Sequence, residues 1–296
     1  MWPLVLLLMS LSTYALLFLG SSVNVNMKWP KAQFLVPSPI HNSHLLPGYT
    51  RMSNQQPLQM HCNQCALVTS SGHLFNSSLG SVIDAAECVF RMNDAPTRAF
   101  EKDVGHRTTL RVVAHSSMAS FSKHAKELLE ATGRNQHSTV VVVWGPPKLM
   151  RADGSGSTYN ALQRLRTRVP GLDIYLITDL RMQAFDRLYE KETGLDRMKS
   201  HTWLSTGWFT MGVLLDVCDH IHVYGMIPSD YCSNAKHHAV QYHYYEKRSG
   251  GECKTYMMHA HILNGGHHRF FLEKSVFARW APRYNITFSH PSWPGL

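Results

Sequence analysis

The most constraining feature of this chain is an alternation that begins near Leu58 and runs to the C-terminus. Short apolar runs at Ala66–Thr69, Cys88–Met92, Thr109–Ala114, Thr139–Trp144, Ile174–Thr178 and Ile221–Tyr224 read as buried strands. Between several of them lie helix-like stretches, at Ala119–Ala131, Tyr159–Arg168, Ala184–Lys191, Trp208–Cys218 and His267–Trp280. Strands alternating with helices predict an α/β domain with a mostly parallel sheet. No fixed-period repeat is visible, so one domain over residues 58–296 is expected. At 44% hydrophobic residues a chain of this length buries a sizeable core, which excludes a disordered or fibrous class.

Upstream the pattern is different. Residues 21–57 hold Pro30, Pro37, Pro39, Pro47 and Pro57 with little apolar periodicity, and read as an extended stem. Residues 1–20 are apolar and carry no charged side chain, long enough at about 1.5 Å per residue to cross a bilayer as a signal-anchor. A cleaved signal peptide is the alternative, although its apolar core is usually shorter. The first basic residue, Lys28, lies downstream, so basic residues alone favour the orientation opposite to a lumenal one. Two sequons, at Asn76 and Asn285, and an even number of cysteines fit the secretory pathway. Lys and Arg number 29 against 20 Asp and Glu. That excess is dispersed with no basic arm, which suits an anionic small molecule or a membrane surface better than a nucleic acid.

Parallel sheets bind ligands beyond the carboxyl ends of their strands. Ser70-Ser71-Gly72 follows the first strand, Asn93-Asp94-Ala95-Pro96 the second, and Ser205-Thr206-Gly207 precedes a helix. Backbone N–H groups at a helix start attract anions, but Ser and Thr also cap helices everywhere. No Gly-x-Gly-x-x-Gly, P-loop or Asp-x-Asp motif occurs. His259, His261, His267 and His268 crowd together and invite a zinc site, yet the His-Glu-x-x-His spacing is missing. Cys62-Asn63-Gln64-Cys65 has no second CxxC to complete a four-thiolate site, which favours structural disulfides.

Residues 65–73 (CALVTSSGH) running on to 88–96 (CVFRMNDAP) resemble the large sialylmotif of animal sialyltransferases. Residues 204–211 (LSTGWFTM) through 218–225 (CDHIHVYG) resemble the small sialylmotif. His243-Tyr244-Tyr245-Glu246 is similar to the third motif, and His268 to Glu273 to the very short His-x4-Glu motif. The four stand in the family's order from about Cys62 onward. With Arg91 to Thr97, Trp144-Gly145-Pro146 and Tyr242 to Glu246, the set looks like the α-N-acetylgalactosaminide α-2,6-sialyltransferases, in the subgroup acting on already sialylated acceptors.

The resemblance implies a single Rossmann-like domain, a variant of the GT-A glycosyltransferase fold, on a Golgi type II membrane anchor with the domain lumenal. It implies CMP-sialic acid as donor, inversion at the anomeric carbon and no metal. It assigns Ser70, Ser71, Gly72 and Asn93 to the nucleotide and its phosphate, His243 and the Ser205-Thr206-Gly207 helix start to the leaving phosphate, and His268 to the general base. The family often has Asn where Ser70 stands. Glu273 would orient the His268 segment, although an i, i+5 offset of about 140° on a helix does not guarantee contact. A bridge between Cys65 and Cys218 is implied, leaving Cys62, Cys88, Cys232 and Cys253 with three pairings. The implied acceptor is a sialylated Gal-β-1,3-GalNAc glycan, on a ganglioside of the GM1b type or on an O-linked glycoprotein chain. The competing readings are a secreted zinc-dependent hydrolase built on the C-terminal histidines and an inactive glycan-binding module.

Overall fold

The fold is a nine-stranded sheet in the order β2-β1-β7-β6-β5-β4-β3-β8-β9, seen in a computed structural model that describes residues 45–130, 139–235, 239–246, 250–261 and 268–295. The strands are β1 (Leu45–Arg51), β2 (Pro57–Gln59), β3 (Cys62–Val68), β4 (Cys88–Met92), β5 (Leu110–Ala114), β6 (Val140–Trp144), β7 (Asp173–Ile177), β8 (Cys218–Tyr224) and β9 (Ile286–Ser289). From β7 across to β9 every pairing is parallel. Only β1, against both β7 and β2, runs antiparallel. The helices are α1 (Gly80–Asp84), α2 (Glu101–Val104), α3 (Met118–Glu130), α4 (Ser157–Arg168), α5 (Asp179–Thr193), α6 (Thr206–Val217), α7 (Glu252–His261) and α8 (Phe270–Trp280).

Helices cover both faces of the sheet, which is why the central strands read as unbroken apolar runs. In β6, Val142 and Trp144 face a core shared with Phe185, Trp208, Phe209 and Phe277. Val141 and Val143 face the other way, against Phe121, Leu128, Leu162 and Leu165 of α3 and α4. Helix α6 is apolar all round because it is buried along most of its length, from Trp208 to Val217.

Three disulfides join the six cysteines. Cys62–Cys88 and Cys65–Cys218 staple β4 and β8 to β3 near the strands' amino ends, and Cys232–Cys253 ties the loop before α7 to its first turn. The carboxyl ends of the same strands are left open.

The sheet begins earlier than the proline pattern suggested. Leu45–Arg51 lies inside the segment read as stem, yet it pairs with β7 through Tyr49, Thr50 and Arg51. Its Pro47 and Gly48 fall where the register with β2 shifts between Leu46 and Thr50, so the missing donor costs no regular ladder bond. Strand β9 and helix α7 were also not anticipated. Residues 1–44, which include the apolar run read as an anchor, and His267, which was read as a helix start, lie outside the described residues. Among the described residues no helix is long and apolar enough to cross a membrane.

Candidate active site

A cavity of about 580 Å³ opens beyond the carboxyl ends of the strands. It is walled by the turn after β3 (Thr69, Ser70, Ser71), the end of β4 (Met92, Asn93), the turn after β5 (His115), Trp144 of β6 and the start of α6 (Ser205, Thr206, Gly207). The lining also includes His243, Glu252, Tyr256, His268, Glu273 and Lys274. Of the residues singled out from the sequence as nucleotide or proton-handling groups, all but Gly72 line this one cavity.

Gly72 has a different task. A Cβ there would lie 2.2 Å from the carbonyl oxygen of Gln241, so the segment carrying His243 approaches closely only because this residue is glycine. Ser71 forms an antiparallel bridge with His243, and the Tyr244 N–H donates to Ser70 O at 3.0 Å. The large-motif turn therefore carries the third-motif histidine on its own backbone. The Ser71 hydroxyl points elsewhere, donating to Glu252 at 2.7 Å.

Asn93 takes a left-handed φ of 46°, a conformation Asn tolerates better than most residues. Its side-chain oxygen accepts the Ala114 N–H at 3.0 Å and locks the ends of β4 and β5 together. Beneath it the fully buried Arg111 donates to the carbonyls of Asn93 at 2.9 Å and Ala95 at 3.1 Å. Burial pulls that guanidinium down to about 10. Arg91 is likewise a core residue, bonded to the carbonyls of Val104 and Arg107.

At the start of α6, Ser205 is the N-cap, its oxygen accepting from the Trp208 N–H at 3.1 Å. Its own N–H donates to Glu273 at 2.9 Å, and its hydroxyl donates to the other carboxylate oxygen. Ser205 is thus committed to structure. The next two N–H groups, of Thr206 and Gly207, belong to the unsatisfied first turn of a helix and lie in the cavity wall, where an anion can be met.

His268 and His243 line the same cavity as these donors. His268 sets its Nδ1 at 2.9 Å from the Trp203 carbonyl. A carbonyl only accepts, so a neutral ring carries its hydrogen on Nδ1 and its lone pair on Nε2, the form a general base needs. His243 lies with Nδ1 3.0 Å from Glu246, stacked on Tyr245 at 5.0 Å. Glu273 does not reach back to His268; it holds Ser205 instead, and burial pushes its carboxyl up to about 7.

Among the cavity residues that went unread in the sequence are His115, Glu252, Tyr256 and Lys274. His115 could have been found, since it directly follows β5 as Asn93 follows β4. It packs edge-on to Trp144 at 5.5 Å, and burial lowers its proton affinity. Glu252 accepts from Ser71 and, at 2.8 Å, from the Tyr256 hydroxyl. Nothing in its local sequence marks it.

Among the described residues no three or more of His, Cys, Asp and Glu gather as a metal site. His259 and His268 stack at 5.7 Å; the His261 side chain and His267 lie outside the described residues. Both sequon asparagines, Asn76 and Asn285, are exposed at left-handed turns.

The model of glycosyltransferase family 29 (sialyltransferase) matches residues 19–279. The chain belongs to this sialyltransferase family. It is 47% identical over 247 residues to alpha-N-acetylgalactosaminide alpha-2,6-sialyltransferase 6 of Mus musculus, covering 83% of this chain and 73% of that protein. It is 42% identical over 266 residues to alpha-N-acetylgalactosaminide alpha-2,6-sialyltransferase 3 of Mus musculus, covering 90% and 84%. Against alpha-N-acetyl-neuraminyl-2,3-beta-galactosyl-1,3-N-acetyl-galactosaminide alpha-2,6-sialyltransferase of Homo sapiens it is 43% identical over 259 residues, covering 87% and 83%. Family membership makes the chain a glycosyltransferase and favours that reading over the zinc hydrolase.

Proposed function

We propose that this sialyltransferase moves sialic acid from CMP-sialic acid, in α-2,6 linkage, to the GalNAc of a sialylated Gal-β-1,3-GalNAc glycan. The observation that carries the proposal is that His268, with its lone pair on Nε2, shares one cavity with His243 and the N–H groups of Thr206 and Gly207. The acceptor hydroxyl attacks the anomeric carbon of sialic acid while His268 takes its proton. The bond from that carbon to the phosphate oxygen breaks, and CMP leaves with the electron pair. The charge gathering on the phosphate is met by His243 and the α6 start, fixed in place before the reaction by the Gly72–Gln241 contact and the Ser205 cap. One displacement inverts the anomeric centre.

The sialylated acceptor is supported by the names of relatives, one of which specifies a sialyl-galactosyl-GalNAc substrate. Placement in the Golgi as a single-pass type II membrane protein, with a lumenal catalytic domain, fits a chain whose six cysteines are all paired. The test is transfer by the full chain from CMP-sialic acid to ganglioside and O-glycopeptide acceptors, each with and without the pre-existing sialic acid, followed by linkage analysis. New α-2,6 sialyl-GalNAc on the sialylated acceptors alone is expected. Transfer to galactose, or only to unsialylated acceptors, overturns the assignment.

A further inference from the structure

Lys274 is a buried cation, 5% exposed, in the wall of the reactive cavity. Among the described residues lining that cavity it is the only Lys or Arg. Its ammonium sits 4.2 Å over the Tyr256 ring and 5.9 Å from that of Phe270, and it makes no hydrogen bond or ion pair among the described residues. Three donors are therefore unmet on a group whose burial is costly unless something pairs with it. The neighbouring carboxylates do not pair with it. Glu252 is taken by Ser71 and Tyr256, and Glu273 by Ser205. They ease the cost of the charge through the field while leaving its donors open.

The donor read above carries two anions, a phosphate and the carboxylate on the anomeric carbon. The phosphate is provided for by the start of α6 and His243. We propose that Lys274 binds the carboxylate of the donor's sialic acid, anchoring the carbon that is attacked. A compact ammonium on a flexible stem can follow that carboxylate as the sugar ring flattens in the transition state. The proposal rests on CMP-sialic acid being the donor.

The experiment compares the full wild-type chain with Lys274→Met, measuring the dissociation constant of CMP and KM for CMP-sialic acid and for its sialyl methyl ester. Loss of a charged hydrogen bond should raise KM for CMP-sialic acid about tenfold or more, with CMP affinity held within about twofold. The handicap of the methyl ester in the wild-type chain should vanish in the variant. Should Lys274→Met not fold, Glu252→Gln/Lys274→Met removes one charge of each sign and gives the same comparison. Equal weakening of CMP and CMP-sialic acid, or no weakening of either, overturns the proposal in favour of a counter-ion role. So does a wild-type chain that uses the methyl ester as well as the acid, whatever the variants do. A wild-type chain that binds no CMP overturns the donor reading itself, and the proposal with it.

Discussion

Both hydrogen-bond donors of Ser205 end on one side chain: its N–H and its hydroxyl donate to the two carboxylate oxygens of Glu273. The last motif along the chain thus holds the first turn of α6, which carries the Thr206 and Gly207 N–H groups. Replacing Glu273 by Ala leaves two buried donors unmet, at about 1–3 kcal/mol each before relaxation. Lower thermal stability and weaker CMP binding are expected together. Glu273→Ala with CMP affinity intact would separate Glu273 from the α6 start.

Glu273 also sets a pH dependence. Burial raises its carboxyl from the usual 4.5 to about 7, so between those values the folded chain holds a proton that the unfolded chain has released. Stability contributed by the protonated group is present below pH 4.5 and is lost as pH rises toward 7, by up to about 1.4 kcal/mol per pH unit. Lys274 acts in a separate window. Its amine is lowered from 10.5 to about 8, so stability recovers as pH rises from 8 to 10.5. Denaturant unfolding of wild type and Glu273→Gln across the lower window checks the first sign. The glutamine variant should lose the slope, and identical slopes in the two proteins rule out the carboxyl as its source.

The Trp203 carbonyl fixes which nitrogen of His268 is basic. His268→Ala should reduce kcat by about 10²–10⁴, the usual weight of a general base, with the dissociation constant of CMP little changed. Turnover within a few-fold of wild type would remove His268 from the proton-transfer step.

What could be read from the sequence was whatever is local. The six strand runs and the start of α6 follow from short-range pattern, and Ser205 stands as N-cap where the motif put a helix start. The resemblance also gathered Ser70, Asn93 and both histidines before any fold was known. What could not be read are pairings between distant segments. Glu252 meets Ser71 across 181 positions, and helix α7 has no clear apolar period because a disulfide and a buried carboxylate seat it instead. Lys274, one residue after a motif glutamate, looks like any helical lysine until Tyr256 is seen beneath it. The stem boundary was missed because Pro47 and Gly48 hide a strand whose irregular register accommodates them.

Gly72→Ala tests the seating of His243. Its added methyl would lie 2.2 Å from Gln241 O, and backbone must shift to relieve that contact. Since Ser71 bridges His243 directly, the shift displaces the histidine. A fall in kcat/KM exceeding the loss of thermal stability is expected. Full activity in Gly72→Ala would mean that the third-motif segment is positioned by its other contacts.

The Cys232–Cys253 disulfide closes the loop on which His243 rides, across 21 positions, and its second cysteine directly follows Glu252. Replacing both cysteines by Ser releases a loop whose closure is worth about 3 kcal/mol in the chain-entropy model. The loss should fall unevenly. Glu252 stands at the first turn of α7 and holds Ser71, so loosening that turn weakens the contact between α7 and the Ser70–Gly72 turn before the sheet itself, which keeps its two other disulfides. Hydrogen exchange should therefore show faster opening at residues 239–246 and 252–256 with β3 and β8 protected as in wild type. KM for CMP-sialic acid should rise. Uniformly faster exchange across the sheet would make this bridge a global staple and not a local clamp on the active site.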